Sequence, residues 1–305
     1  MTVLVPAGVD AGAVWHYGDP FAEQKALAAG LAGVDLSHRP VFTISGPDRL
    51  TWLHAITSAD FEHLQPGVPL NAFILNPQGH ITQVFAAIDD GQTLRCHTEP
   101  GHAEALLAWL RKMVFAARVE IGDVDDELAV VIAPGAGPQV VSRDGVEAAL
   151  GQVRAGTWAM EAVRIAAGLP RIFLDTDERT IPNELANPDG VALGPAVHLN
   201  KGCYPGQEAV ARIFNLGRPP RRLTLLHLDG SADALPAVGA EVLVDGVVVG
   251  RMGTSERHYE LGPIGLALLK RQTPVDAALV VDGIDAAQEL VVNPDVGLHF
   301  RATRG

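Results

Sequence analysis

The spacing of apolar residues changes twice along the chain, and each change marks a piece of its organisation. Residues 1–18 have weak periodicity and read as an extension. Residues 19–31, DPFAEQKALAAGL, predict a short amphipathic helix with Pro20 in the first turn, where its missing N–H costs nothing. VFTISGPDRLTWLHAIT reads as a strand running into a helix. Ser45 followed by Asp48 resembles a capping box, Pro47 suits the first helical position, and Leu50, Leu53, His54 and Ile56 supply an apolar face. Three strand-like stretches follow, NAFILN, HITQVFAAI and TLRCHT, separated by the turn signals PQG and DDGQ. Ala103, Leu106, Leu107, Leu110, Met113 and Val114 then repeat at the helical period. The strands ARVEI and ELAVVIA come next, with a further helix expected near PQVVSRDGVEAAL.

From about residue 219 the helical rhythm stops. PPRRLTLLHLDG, AEVLVDGVVVGRMGTSERHYELGPIGLALLK and ALVVDGIDAAQELVV are short apolar strands joined by Gly, Asp and Pro turns, the pattern of a small β-barrel or sandwich. A boundary is placed at GRPPRR, residues 217–222. Upstream of it, the order of strands and helices with antiparallel turns predicts α+β layers and argues against a doubly wound sheet.

The 305 residues suffice for about two domains with ordinary cores, so disulfides are not needed for stability. The two cysteines, Cys96 and Cys203, form no CxxC pair or zinc-type spacing, and a reducing cytoplasm is the expected compartment. The N-terminal segment lacks a basic region and a sustained apolar run, and no stretch elsewhere approaches the about 18 apolar residues of a membrane helix. A formal charge of -13 opposes contact with nucleic acid or an anionic membrane. Neither is expected as a partner.

Several candidate motifs have ordinary explanations. Gly135 and Gly137 in VVIAPGAGPQVV lack the third glycine of a dinucleotide loop, since Val140 stands there, and a strand-to-helix turn accounts for them. His198 lies five residues before Cys203, a spacing open to a ligand pair or dyad as well as to a plain loop histidine. Arg212, Arg218, Arg221 and Arg222 make one dense cationic stretch. It reads either as surface arginines neutralising acidic neighbours or as a site for a carboxylate or phosphate.

NKGCYPGQEAVARI, residues 200–213, carries more chemistry. Pro205 suits the first position of a helix continued by Gln207, Glu208, Val210, Ala211 and Ile213, which sets Cys203 just before the positive helix end. Lys201 adds a cation; both effects lower a thiol pKa. Glu208 opposes them if it points at the sulfur. On the residues alone, Cys203 stays open between a working thiol and a small buried one.

KGCYPGQE, residues 201–208, resembles the K-G-C-Y-x-G-Q-E signature of the YgfZ folate-binding proteins, relatives of the aminomethyltransferase of the glycine cleavage system. Residues 34–81, VRIAAGLPRI, IPNEL and GVVVGRMGTSERHYELGPIGLALL extend the resemblance on both sides. It implies a clover-leaf of two interleaved α+β subdomains over residues 19–218, a C-terminal β-barrel over 219–305, and a central pocket for tetrahydrofolate. It also implies an accessory role in assembly, maintenance or repair of iron–sulfur client enzymes, tRNA-modifying ones included. Cys203 and Lys201 would be the reactive pair, in a setting of Tyr204, Gly206, Gln207 and Glu208.

Arg212 would hold the anionic tail of the folate. A folate-holding tryptophan of some relatives aligns near Met160, with Trp158 two residues away as its substitute, and a second corresponds to Arg39. No permanent metal or cluster is expected, since a [4Fe–4S] centre takes several thiolates. The alternative is a tetrahydrofolate-dependent aminomethyltransferase or demethylase. The glycine-cleavage reaction is disfavoured, because QGHITQVF puts Thr82, Gln83 and Val84 where those enzymes carry a carboxylate.

Overall fold

A computed structural model describes residues 1–185 and 196–295, so the last ten residues of the expected barrel domain lie outside the described residues. By contact the chain divides into two compact units. The first comprises Met1–Leu75, Thr82–Met160 and Pro195–Pro205; the second comprises Asn76–Ile81, Glu161–Gly194 and Gly206–Gly305.

The first unit opens with strands β1 (Val3–Leu4) and β2 (Val14–His16), paired antiparallel, so the expected extension is a small ribbon. Helix α1 (Pro20–Ala28) starts as the sequence predicts: Pro20 stands in its first turn and Asp19 accepts from the Ala22 N–H at 3.0 Å. Strands β3 (Gly33–Asp35) and β4 (Val41–Ser45) lead to helix α2 (Arg49–Ile56). The expected capping box is not made. Asp48 precedes α2, but Arg118 takes its carboxylate, Nη2 donating to Oδ1 at 2.6 Å and the backbone N–H to Oδ2 at 2.8 Å. Those bonds hold the Asp48 carboxyl down to about 2.

Strands β5 (Pro69–Leu75), β6 (Ile81–Asp89) and β7 (Thr93–His97) match the three predicted stretches. Helix α3 (Ala103–Lys112) follows and buries Ala103, Leu106, Leu107 and Leu110, the face its periodicity marks. With β8 (Glu120–Ile121) they complete a five-stranded sheet, β5-β6-β7-β4-β8. Phe42, Ile44, Trp52, Leu53, Phe61, Phe85, Leu106 and Leu110 form its core.

Strands β9 (Leu128–Ile132) and β10 (Pro138–Ser142) pair antiparallel across the Gly135–Gly137 turn. That turn therefore joins two strands, and the helix expected across 138–150 shrinks to α4 (Val146–Leu150). Val140 and Val141 prefer the β9 ladder to a helix, since β-branched side chains pack well on a pleated surface. Strand β11 (Arg154–Ala155) completes a second sheet, β10-β9-β3-β11, and α5 (Thr157–Ala166) follows.

The second unit contains helix α6 (Gln207–Leu216) and strands β12 (Arg221–Leu228), β13 (Glu241–Val244), β14 (Val247–His258), β15 (Gly262–Lys270), β16 (Leu279–Val281) and β17 (Ile284–Leu290). The strands close into a barrel, β12-β15-β14-β13-β16-β17, which leaves no open sheet edge. Asp245–Gly246 and Asp282–Gly283 make its tight hairpins. All four have positive φ, 48° and 76° in one turn and 50° and 78° in the other, as a turn that follows the strand twist requires. Leu226, Val242, Met252, Ala267, Leu269 and Val281 fill the interior. The α+β layers and the barrel are those the apolar rhythm predicts.

Candidate functional site

The site grows from the end of α2. Thr57 closes that helix, its hydroxyl donating to the Leu53 carbonyl at 2.8 Å. Ser58 then clamps a distant segment: its Oγ donates to the Ala196 carbonyl at 2.5 Å, and its carbonyl accepts from the His198 N–H at 2.9 Å. These bonds bring the residues leading to Cys203 against the turn after α2.

Lys201 locks the arrangement. Its side chain is buried, and Nζ donates to the carbonyls of His54 and, at 2.8 Å, Ala59. The ammonium also lies 4.9 Å from the centre of the Tyr204 ring, within cation–π range. Burial pulls the Lys201 pKa down to about 8, while the charges of Asp60 and Glu62 work against that fall. Lys201 is thus an anchor as well as a cation.

Gly202 and Cys203 beyond it are exposed, whereas Tyr204 is buried again. Cys96, the other cysteine, is fully buried, and burial pushes its thiol well above the ordinary range. The inert position and the accessible one are therefore distinct. Helix α6 starts at Gln207, with Gly206 as its cap at φ 79°. Pro205 does not begin the helix, because Gly206 turns the chain in a left-handed conformation that an L residue rarely adopts. Cys203 stands three residues before the cap, so the helix-end argument for a lowered thiol pKa loses its footing.

Asp60 lies at the centre of an imidazole cluster. His63 Nδ1 is 2.8 Å and His54 Nδ1 3.1 Å from its carboxylate oxygens, and His198 Nε2 is 3.9 Å away. Burial pushes the Asp60 carboxyl up, but hydrogen bonds and charge from His63, with the charge of His198, outweigh it and leave the group below the usual carboxylate range. The rings point at the carboxylate instead of sharing a common vacant point. Among the described residues no three His, Cys, Asp or Glu side chains are grouped to hold a metal ion. The sequence reading pairs His198 with Cys203 and assigns His54 to an apolar helix face. The structure adds Asp60 and Glu62 to His54, close in sequence, and Asp60 to His198, a partner that only long-range folding brings to it.

The other predicted residues are placed as follows. Arg39 pairs with Glu99 at 3.2 Å, yet its Nε is buried without a partner. The Thr98 N–H and hydroxyl bond the carbonyls of Pro40 and Val84, which sets the strand carrying Gln83 beside the segment carrying Arg39. Gln83 Oε1 is likewise buried and unpaired. Trp158 stacks on Trp15, ring centres 5.0 Å apart at 19°, and meets the edges of His16 and Phe21. Its indole Nε1 and the Tyr204 hydroxyl also lack partners. Trp15, which covers one face of Trp158, escapes the sequence reading because it sits in the weakly periodic N-terminal segment.

Glu208 and Arg212 are exposed on α6, with Gln207 partly buried. The cationic stretch after them does not form one patch. Arg221 is held by Asp177 and Glu184, with contacts of 2.6 and 2.8 Å. Arg222 is fully buried in the barrel unit, donating to Thr224 Oγ1, the Thr273 carbonyl and Gln288 Oε1. Strand alternation sends these two side chains to opposite faces, and each is already committed to partners within the second unit.

Among the described residues no helix is long and apolar enough to cross a membrane. No family model matches the chain. A putative chloroplastic transferase of Arabidopsis thaliana is 26% identical over 84% of this chain and 69% of its own length. The tRNA-modifying protein YgfZ of Yersinia enterocolitica is 37% identical, over 27% of this chain and 23% of that protein. In structure, the glycine cleavage system aminomethyltransferase T of Bartonella henselae superposes with a TM-score of 0.75, covering 99% of this chain and 96% of that one at 17% identity. The chain therefore has the fold of the glycine-cleavage aminomethyltransferases, and its sequence matches the YgfZ proteins over part of its length.

Proposed function

We propose that the protein is a cytoplasmic, tetrahydrofolate-binding accessory factor for assembly, maintenance or repair of iron–sulfur enzymes, tRNA-modifying ones among them, with Cys203 as its working thiol. One observation carries the folate clause. Arg39 Nε, Gln83 Oε1, Trp158 Nε1 and the Tyr204 hydroxyl are all buried without protein partners, and all four belong to the first unit. Folded proteins leave few such atoms unpaired, because each orphan costs about 1–3 kcal/mol. Three donors and an amide oxygen, among first-unit orphans that also include His16 Nδ1 and His198 Nδ1, are the kinds of group that would pair with the heteroatoms of a pterin. When bound, folate would supply a one-carbon carrier. Arg39, Gln83, Trp158 and Tyr204 would hold it.

The thiol clause rests on the contrast between exposed Cys203 and buried Cys96 within an otherwise anchored segment. Calorimetric titration with tetrahydrofolate tests the first clause: saturable heat is expected, and a titration without heat or saturation would end the folate reading.

A second reading, a folate-dependent aminomethyltransferase or demethylase, is favoured by the match to a putative transferase over 84% of the chain. Gln83 speaks against it, since an amide neither accepts a proton nor balances a cationic intermediate. Turnover of an aminomethyl or methyl donor with tetrahydrofolate would decide for this alternative.

A further inference from the structure

The N-terminal ribbon is tied to the start of α5 on both sides of Trp15. The Thr157 hydroxyl donates to the Val14 carbonyl at 3.2 Å. Beyond Trp15, the Tyr17 N–H donates to Glu23 Oε1 at 2.7 Å, and the other oxygen of that carboxylate accepts from the Gly156 N–H at 2.9 Å. Glu23 is only 7% exposed, so a buried charge joins two backbone segments distant in sequence. A Cβ on Gly156 would lie 2.1 Å from the Trp15 carbonyl oxygen, an approach only glycine allows. These ties hold Trp15 against Trp158, ring centres 5.0 Å apart at 19°.

The residue after Trp15 brings a second polar ring to the stack. His16 meets Trp158 edge-on, ring centres 5.9 Å apart at 75°. His16 Nδ1 and Trp158 Nε1 are both buried without a partner. Packing requires neither atom, since phenylalanine at either position would fill an aromatic cluster without an unpaired polar group. The indole N–H is a donor only, and the imidazole Nδ1 accepts when the proton is on Nε2. One donor and one acceptor on adjoining rings match a cyclic amide, whose carbonyl accepts and whose N–H donates. The pterin ring of a folate carries such an edge.

We infer that His16 contacts the pterin ring beside Trp158, with Trp15 as the positioning residue that holds the pair in place. His16 Nδ1 accepts from the amide N–H of the ring and Trp158 Nε1 donates to its carbonyl; no covalent bond changes. The inference rests on the folate reading above and extends it to residues 14–17, which lie outside the stretches that carry the family resemblance.

Full-length wild type, His16→Phe, His16→Asn, Trp15→Leu and Trp15→Phe are titrated with tetrahydrofolate by calorimetry without oxygen, each at a temperature where its melting curve shows it folded. His16→Phe keeps a ring and loses Nδ1, so its Kd should rise about tenfold, the worth of one hydrogen bond to a buried group. His16→Asn returns an acceptor and should recover part of the loss. Trp15→Leu should weaken binding in the same direction, and Trp15→Phe, which restores a stacked ring, should bind closer to wild type. A merely structural role would move the melting curves and leave Kd unchanged. If His16→Phe binds as tightly as wild type, the inference is overturned and the folate reading stands. A wild type that takes up no tetrahydrofolate ends the folate reading, and this inference with it. If His16→Phe does not fold, proton–nitrogen correlation on wild type saturated with tetrahydrofolate decides. A downfield shift of the Trp158 indole proton with an Nε2–H tautomer at His16 supports the assignment; an unmoved indole proton or an Nδ1–H tautomer overturns it.

Discussion

Lys201 Nζ donates to the Ala59 carbonyl at 2.8 Å, and through that bond the segment carrying Cys203 is fastened to the turn that carries Asp60. A charged donor shared between two carbonyls is a strong tie, and its loss leaves both acceptors without it. Lys201→Met keeps the apolar stem and should cost about 2–3 kcal/mol in chemical denaturation.

The same residue carries a pH signature. Lys201 has its pKa lowered from 10.5 to about 8 on folding. Between those values the unfolded chain holds a proton the folded chain lacks, so this group makes stability rise with pH across that window. Melting curves from pH 8 to 10.5 should show that contribution in wild type and lose it in Lys201→Met.

Arg221 predicts a dependence of the same sign at low pH. Its guanidinium draws the Asp177 carboxyl from 3.8 to about 2, against the effect of burial. A lowered carboxylate stabilises the fold above its unfolded value, and that contribution disappears as pH falls towards 2. Arg221→Gln, which strands the buried carboxylate of Glu184, should lower stability by about 3 kcal/mol at neutral pH and flatten the acid limb, read by denaturation at pH 7 and pH 3.

The start of α6 depends on Gly206. A φ of 79° is open to glycine and penalises an L residue, so Gly206→Ala should cost about 1–2 kcal/mol, and Gly206→Asn less. Equal stability of the three forms in urea denaturation would show that this turn is not the constraint.

Fold and site differ in how far the sequence reveals them. Leu106, Leu107 and Leu110 declare α3 by spacing, and the Asp–Gly pairs at 245 and 282 declare the hairpins of the barrel, because those signals are local. Asp48 reads as a cap and instead serves Arg118, seventy positions on. Pro205 reads as a helix start, and Gly206 moves it. His54 reads as apolar because its heptad position is apolar; in the fold Asp60 and Glu62 flank its ring. Arg221 and Arg222 read as neighbours in one patch, until strand alternation separates them. Cys203 and Lys201 were visible as a motif, but the anchoring role of Lys201 depends on two carbonyls that no spacing predicts.

The most direct test of the account uses a strain lacking this protein. Wild type and Cys203→Ala are expressed at matched levels, and the activity of iron–sulfur enzymes is measured in each. Restoration by wild type and failure by Cys203→Ala is the predicted result; equal restoration by both would contradict the central claim that Cys203 is the working thiol.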